Sequence, residues 1–247
     1  MAKTEKMKIR VEETDLVYQI DKKKHIPITK LIADDCGRDV PFVYPFNDWE
    51  TYADAFNTLN CEHFDPPTMS EMVSFVHCIL ESTDNSYRGD VEKLMKKYGF
   101  WGFTGSLFLP SDGKDVNNGV LIQDHPEIKD GMPFMDRDNL VKKLQANDPS
   151  VRFVPFGFAT SLVTPVQLSN NPYICGLVGE ENAEKLAEIA GRLKKKTYLR
   201  ELNFSADKPL TLVSSLSYSR FFGGPRLIVG GDEGNLAHLS VGIIKSN

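Results

Sequence analysis

The chain has 247 residues, of which 41% are hydrophobic, 26% charged and 10% aromatic, and it carries a net charge of −5. Such a composition excludes a disordered, collagen-like or coiled-coil chain, and the length suffices for a sizeable core without metal or disulfide staples. Residues 1–126 hold 14 Lys and Arg against 21 Asp and Glu, and residues 127–247 hold 15 against 13, so neither half has the basic excess that neutralising phosphates demands and no nucleic-acid partner is expected.

The start, Met1 to Glu13, is polar and charged, and no stretch approaches the ~18 uninterrupted apolar residues of a membrane span. No membrane partner and no signal peptide are therefore expected. Cys36, Cys61, Cys78 and Cys175 lack paired spacing, which suits a reducing compartment, so the expected location is the cytoplasm.

In chain order, Ile9 and Val11 alternate with charges, and Leu16, Val17, Tyr18 and Ile20 follow a polar break at Glu12–Asp15. This reads as a hairpin within the first twenty residues. Ile26 to Pro45, with Gly37, Pro41 and Pro45, reads as extended connection with at most one short strand. Trp49, Tyr52, Ala53, Phe56 and Leu59 recur at helical spacing behind Asn47, which could cap with Glu50 at the third position. After Pro66-Pro67 the pair Thr68 and Glu71 forms a capping box ahead of a stripe from Met69 to Leu80, predicting a helix that ends near Ser82. A third helix is expected from Asp90 to Tyr98, stopped by Gly99 in the left-handed conformation.

Residues 101–125 read as a hairpin with a long loop at Ser111–Gly119. Asp136 should cap a short helix bearing Leu140, Val141 and Leu144, and Val151–Phe158 should be a buried strand. Thr164-Pro165 and Asn171-Pro172 are cap and first-turn pairs for two short helices. Glu181 to Lys194 gives the clearest helix, with Ala183, Leu186, Ala187, Ala190 and Leu193 on one face and Glu181/Lys185 and Glu188/Arg192 as i,i+4 pairs. Strands are expected at 198–204, 210–217, 226–230 and 236–244. The pattern predicts an α+β fold: a largely antiparallel sheet carrying about five to six helices, with a β-rich C-terminus. It is read as a single compact domain over 1–247, with lobes 1–126 and 150–247.

The short motifs that carry a mechanism are absent: there is no GxGxxG, GxxxxGK[ST], HExxH or GxSxG. Cys61, His63, His77 and Cys78 have the residue types of a zinc site, but adjacent helical positions 77 and 78 point apart, so no metal site is expected. No cofactor is expected either.

The segment most suggestive of chemistry is Arg220 to Ser240. With Gly231–Asn235 as the turn, Ile228 faces His238, Arg226 faces Ser240, and Leu227, Val229, Ala237, Leu239 and Val241 share an apolar face. That register puts Arg226, His238 and Ser240 on the other face, near Asp232 and Glu233 at the tip and Arg220 before the bend. Arginines, a histidine and paired carboxylates are the types that bind an anion and move a proton. The expected site therefore has His238, Asp232 and Glu233 as catalytic groups and Arg220, Arg226 and Ser240 as ligand contacts for a small anionic metabolite. Whether the protein is an enzyme is left open. The competing expectation is a non-catalytic interaction or homo-oligomeric assembly protein, whose exposed aromatics and acidic N-terminal half form the partner surface.

Overall fold

The computed structural model describes residues 9–21, 24–47, 49–82, 85–109, 118–193, 197–199, 209–219 and 226–245. In chain order its elements are strands β1 (Arg10–Asp21), β2 (Lys24–Asp35), β3 (Arg38–Tyr44) and β4 (Trp49–Glu50), helix α1 (Tyr52–Cys61), strand β5 (Phe64–Asp65), and helices α2 (Met69–Glu81) and α3 (Asn85–Lys97). There follow strands β6 (Phe100–Leu109), β7 (Gly119–Asp124), β8 (Glu127–Lys129) and β9 (Met132–Phe134), helix α4 (Arg137–Gln145), and strands β10 (Val151–Pro155) and β11 (Ser161–Val163). Helices α5 (Pro165–Ser169), α6 (Pro172–Val178) and α7 (Glu180–Arg192) precede strands β12 (Thr197–Leu199), β13 (Leu210–Ser219), β14 (Arg226–Asp232), β15 (His238–Leu239) and β16 (Ile243–Ile244).

Five strands form one sheet in the order β1-β2-β3-β16-β5. A nine-stranded sheet runs β10-β7-β6-β13-β14-β12-β11, with β15 bridging β4 to β6, and β8-β9 is a separate hairpin. Among the described residues the pairings are antiparallel except β12 with β14 and β15 with β6. The fold is thus α+β with a strand-rich C-terminus, as the sequence pattern predicts, though split into two main sheets and carrying seven helices among the described residues.

Helix α2 sits at the centre, and every residue from Met72 to Leu80 is buried. Its apolar side packs into the core, and its polar row Ser70, Ser74, His77 and Glu81 meets Val178 of α6 and Asn182, Glu188 and Arg192 of α7. Its Phe75 and Ile79 share one core with Leu31 and Phe42 of the five-stranded sheet, Phe100 and Phe108 of the nine-stranded sheet, and Leu186 of α7. The capping box forms as expected, with Thr68 accepting from the Glu71 amide and Glu71 accepting from the Thr68 amide.

Other local signals also hold. Asp136 caps α4 by accepting from the Asn139 amide, Thr164 and Gln167 form a capping box on α5, and Asn171 caps α6. The pair Glu181–Lys185 closes at 3.2 Å. The pair Glu188–Arg192 does not: Glu188 turns to His77 of α2 at 2.7 Å, and Arg192 pairs with Glu81 of α2. Inter-helix packing outcompetes the local i,i+4 contact, whose worth is only a few tenths of a kcal/mol.

Several expectations are corrected. The first twenty residues are not a hairpin; the polar break lies inside β1, where the register with β2 shifts between Glu13 and Val17. The supposed connection from 26 to 45 is instead β2 and β3, whose Leu31, Ala33, Val40 and Phe42 are buried. Its Pro41 is tolerated inside β3, opposite Ile32. Trp49 and Glu50 belong to β4, and α1 begins later, capped by Thr51 with Asp54 rather than by Asn47. The strand expected over 236–244 is two short strands, one in each sheet.

Candidate functional site

The C-terminal hairpin expected from the sequence does not form. Strand β14 pairs with β13, Ile228 opposite Ser217 and Arg226 opposite Ser219. His238 and Leu239 pair instead with Glu50 and Trp49 of β4. The apolar residues Leu227, Val229, Leu239 and Val241 do reach the same core. Burying them sets the facing of both segments, but it leaves the choice of partner strand to elements far away in sequence, and β13 and β4 take those places.

The expected site residues are accordingly dispersed. Arg226 is half-buried at the start of β14 and Asp232 buried at its end, a separation of about 20 Å at ~3.3 Å per residue. Asp232 accepts from the Gly234 amide at 2.8 Å and the Leu236 amide at 3.3 Å, tying the turn that follows. Glu233 is exposed on that turn. His238 is buried against Trp101, ring centroids 4.5 Å apart, and its Nδ1 meets the Tyr98 carbonyl at 2.6 Å. Ser240 is fully buried, and its carbonyl accepts from the Asn47 amide. Arg220 lies outside the described residues.

Arginines, a histidine and carboxylates do converge elsewhere, in an open cleft of about 490 Å3. Its walls are Asp35 and Arg38 from the β2–β3 turn, Thr68, Ser70 and Glu71 from the start of α2, Asp124 and His125 from the end of β7, Arg152 of β10, and Leu177 to Gly179 between α6 and α7.

Each group is held by the fold beneath it. The Met69 amide, at the first position of α2, donates to Thr104 Oγ1 at 3.0 Å, and that hydroxyl donates to Asp124 Oδ1 at 2.8 Å. Asp124 in turn accepts both terminal nitrogens of Arg152, at 3.0 and 3.1 Å. This two-point geometry fixes the plane of the guanidinium. On the facing side Arg38 Nη2 bridges Asp35 at 3.1 Å and Glu71 at 2.6 Å. Burial alone would raise the Asp35 carboxyl, but hydrogen bonds from Asn182, Ser74 and Arg38 outweigh it and hold the group below the usual carboxylate range. Burial likewise disfavours the Arg38 cation, and the carboxylates of Asp35 and Glu71 more than restore it.

Asp35 accepts from Ser74, Asn182 and Arg38; Glu71 from Arg38 and from the amide and hydroxyl of Thr68; Asp124 from Thr104 and Arg152. Ser70 donates to the Val178 carbonyl and accepts from Asn182. Each of the three carboxylates thus accepts three hydrogen bonds from the protein, most of its capacity. The donors are freer: among the described residues Arg38 engages only Nη2, while 63% of its side chain is exposed, and each terminal nitrogen of Arg152 keeps a second hydrogen. Gly179, at φ +81°, both ends α6 and begins α7, and it supplies no side-chain oxygen to the first turn of α7. A Cβ added there would meet nothing within 4 Å, so there is open space beside Gly179.

Sequence reasoning missed these residues because they are spread from Asp35 to Gly179. Two signals were legible: Arg152 interrupts an otherwise apolar strand, and the doublet Asp124-His125 closes one. The left-handed backbone of His125, φ +54°, has no sequence signature.

No family model matches the chain, and no curated protein matches it. Among solved structures it is similar to one described as the accommodation of massive sequence variation in Nanoarchaeota by the C-type lectin fold, with a TM-score of 0.54 and 14% sequence identity. The likeness covers 81% of this chain and 99% of that one. At that identity it bears on the fold alone.

Proposed function

We propose that the protein binds a small anionic ligand, a carboxylate or a phosphate, in the cleft between Arg38 and Arg152. The observation that supports this reading is the surplus of hydrogen-bond donors: the cleft's carboxylates each accept three hydrogen bonds from the protein already, whereas Arg38 and Arg152 still have N–H groups to offer. A ligand rich in acceptors, and negatively charged, complements such a surface. The paired carboxylates keep both guanidinium groups in place before any ligand arrives, which lowers the ordering cost of binding. This reading keeps the anionic ligand expected from the sequence and moves its site from the C-terminal segment to the cleft. A reducing compartment such as the cytoplasm suits the four free cysteines.

The test is calorimetric titration of the purified protein with succinate and with inorganic phosphate, beside Arg38→Gln and Arg152→Gln. Saturable binding that weakens roughly 10- to 100-fold in each variant is expected, the range for losing a charged hydrogen bond. No saturable binding of either probe, or equal affinity in folded variants, removes the proposal.

Assembly is a second reading, supported by a different surface. Met132 and Phe134 of β9 and Leu236 are exposed at 38%, 36% and 54%, and the turn carrying Leu236 packs on Pro133 through Gly234. Clustered exposed apolar side chains favour association. Light scattering of the wild type and of Leu236→Glu separates the readings: a monomer in both cases sinks assembly.

A further inference from the structure

His125 adds the one kind of group that the rest of the cleft lacks. Its ring Nε2 lies 2.7 Å from the Pro66 carbonyl. A carbonyl only accepts, so Nε2 carries the hydrogen, and in the neutral ring the lone pair then belongs to Nδ1. Among the described residues Nδ1 takes part in no hydrogen bond, and His125 is an exposed residue that lines the cleft. The backbone holds it there at a cost: His125 sits at φ +54°, and its own amide is fixed to the Phe103 carbonyl at 2.7 Å. Non-glycine residues kept in the left-handed region cluster where a side chain has to be aimed.

The oxygen acceptors that line the same cleft, on Asp35, Glu71, Asp124, Thr68 and Ser70, already receive hydrogen bonds from the protein. The surplus donors of Arg38 and Arg152 take an anionic group, and His125 Nδ1 stands open to a donor. We infer that the ligand is a hydroxylated anion, a hydroxy acid or a polyol phosphate, whose charged group lies between the arginines and whose hydroxyl donates to His125 Nδ1. The inference rests on the anion-binding reading and narrows it to a substrate class.

The experiment compares L- and D-malate with succinate, which has the same carbon chain and two carboxylates but no hydroxyl, by calorimetric titration of the full chain at fixed ionic strength. One malate enantiomer is expected to bind about 5- to 10-fold more tightly than succinate, the contribution of one added hydrogen bond. In His125→Gly that ratio should fall to about one, and the variant should fold, since the backbone there already has the left-handed conformation that glycine adopts freely. A 15N spectrum of the wild-type imidazole supplies a second readout, with the Nδ1 resonance expected to shift on adding malate and not succinate.

If malate and succinate bind equally, or the ratio persists in His125→Gly, the hydroxyl assignment is overturned and the anion-binding reading stands. Should neither compound bind, the anion-binding reading fails and this one with it.

Discussion

Asn182, in the first turn of α7, donates its side-chain N–H to Asp35 at the end of β2 at 2.8 Å, across 147 residues of sequence. Both residues are buried, at 0% and 8% exposure. The same amide nitrogen donates to Ser70, and Asp35 also accepts from Ser74, so one polar knot joins the five-stranded sheet, α2 and α7 beneath the cleft. Burial of such groups is tolerated because each is satisfied, and removing one member strands the others.

Asn182→Ala should therefore cost about 2–3 kcal/mol, more than its own bonds are worth, because Asp35 and Ser70 lose a donor inside the protein. Urea unfolding followed by fluorescence and by far-ultraviolet dichroism measures this. If the halves of the chain fold as one unit, both probes shift together; separated transitions would mark two units.

By contrast, Glu81→Ala, which breaks the exposed pair with Arg192 across the same two helices, should cost less than about 1 kcal/mol. A loss as large as that of Asn182→Ala would mean that α2 and α7 depend on surface charge rather than on the buried knot.

The Asp35 carboxyl is held below its ordinary value, so its contribution to stability carries a definite sign with pH. A depressed folded-state pKa means that the unfolded chain binds the proton first. The contribution is present above the unfolded value near ~4 and is lost as pH falls through the lower folded value. Asp35→Asn should be less stable than the wild type at pH 7, and the gap should narrow below about pH 4. A gap that widens as acid is added would contradict the hydrogen-bonded carboxylate.

Gly102 lies in β6 where an added Cβ would stand 2.6 Å from Met69 Sδ and 2.8 Å from Met69 Cα. The sulfur can swing aside, but the backbone at the start of α2 cannot. Gly102→Ala should therefore cost about 1–3 kcal/mol by overpacking. Since that helix start also orders Thr68, Ser70 and Glu71, the variant should weaken succinate binding as well. Unchanged thermal stability would show that α2 can shift on β6.

The local parts of this architecture were written in short stretches of sequence. The α2 capping box, the caps Asp136, Thr164 and Asn171, and the apolar stripes of α2 and α7 need only residues within a turn of one another, and all of them form. Capping and helical periodicity are decided by neighbours three or four positions away, so a single sequence suffices to read them.

Strand partners and the cleft were decided at longer range. The alternation of Leu227 with Val229 required that they face the core, yet it left open whether β14 would pair with the segment after it or with β13 before it. The tertiary structure chose β13 and sent His238 to β4. Alternation fixes which face is buried, whereas the pairing follows from how all strands and α2 together cover apolar surface. The same long-range packing brings Arg38, His125, Arg152 and Gly179 to one cleft, a meeting that no single stretch of chain specifies. The chemistry read from residue types at the C-terminus thus has its counterpart at a place that only the folded chain defines.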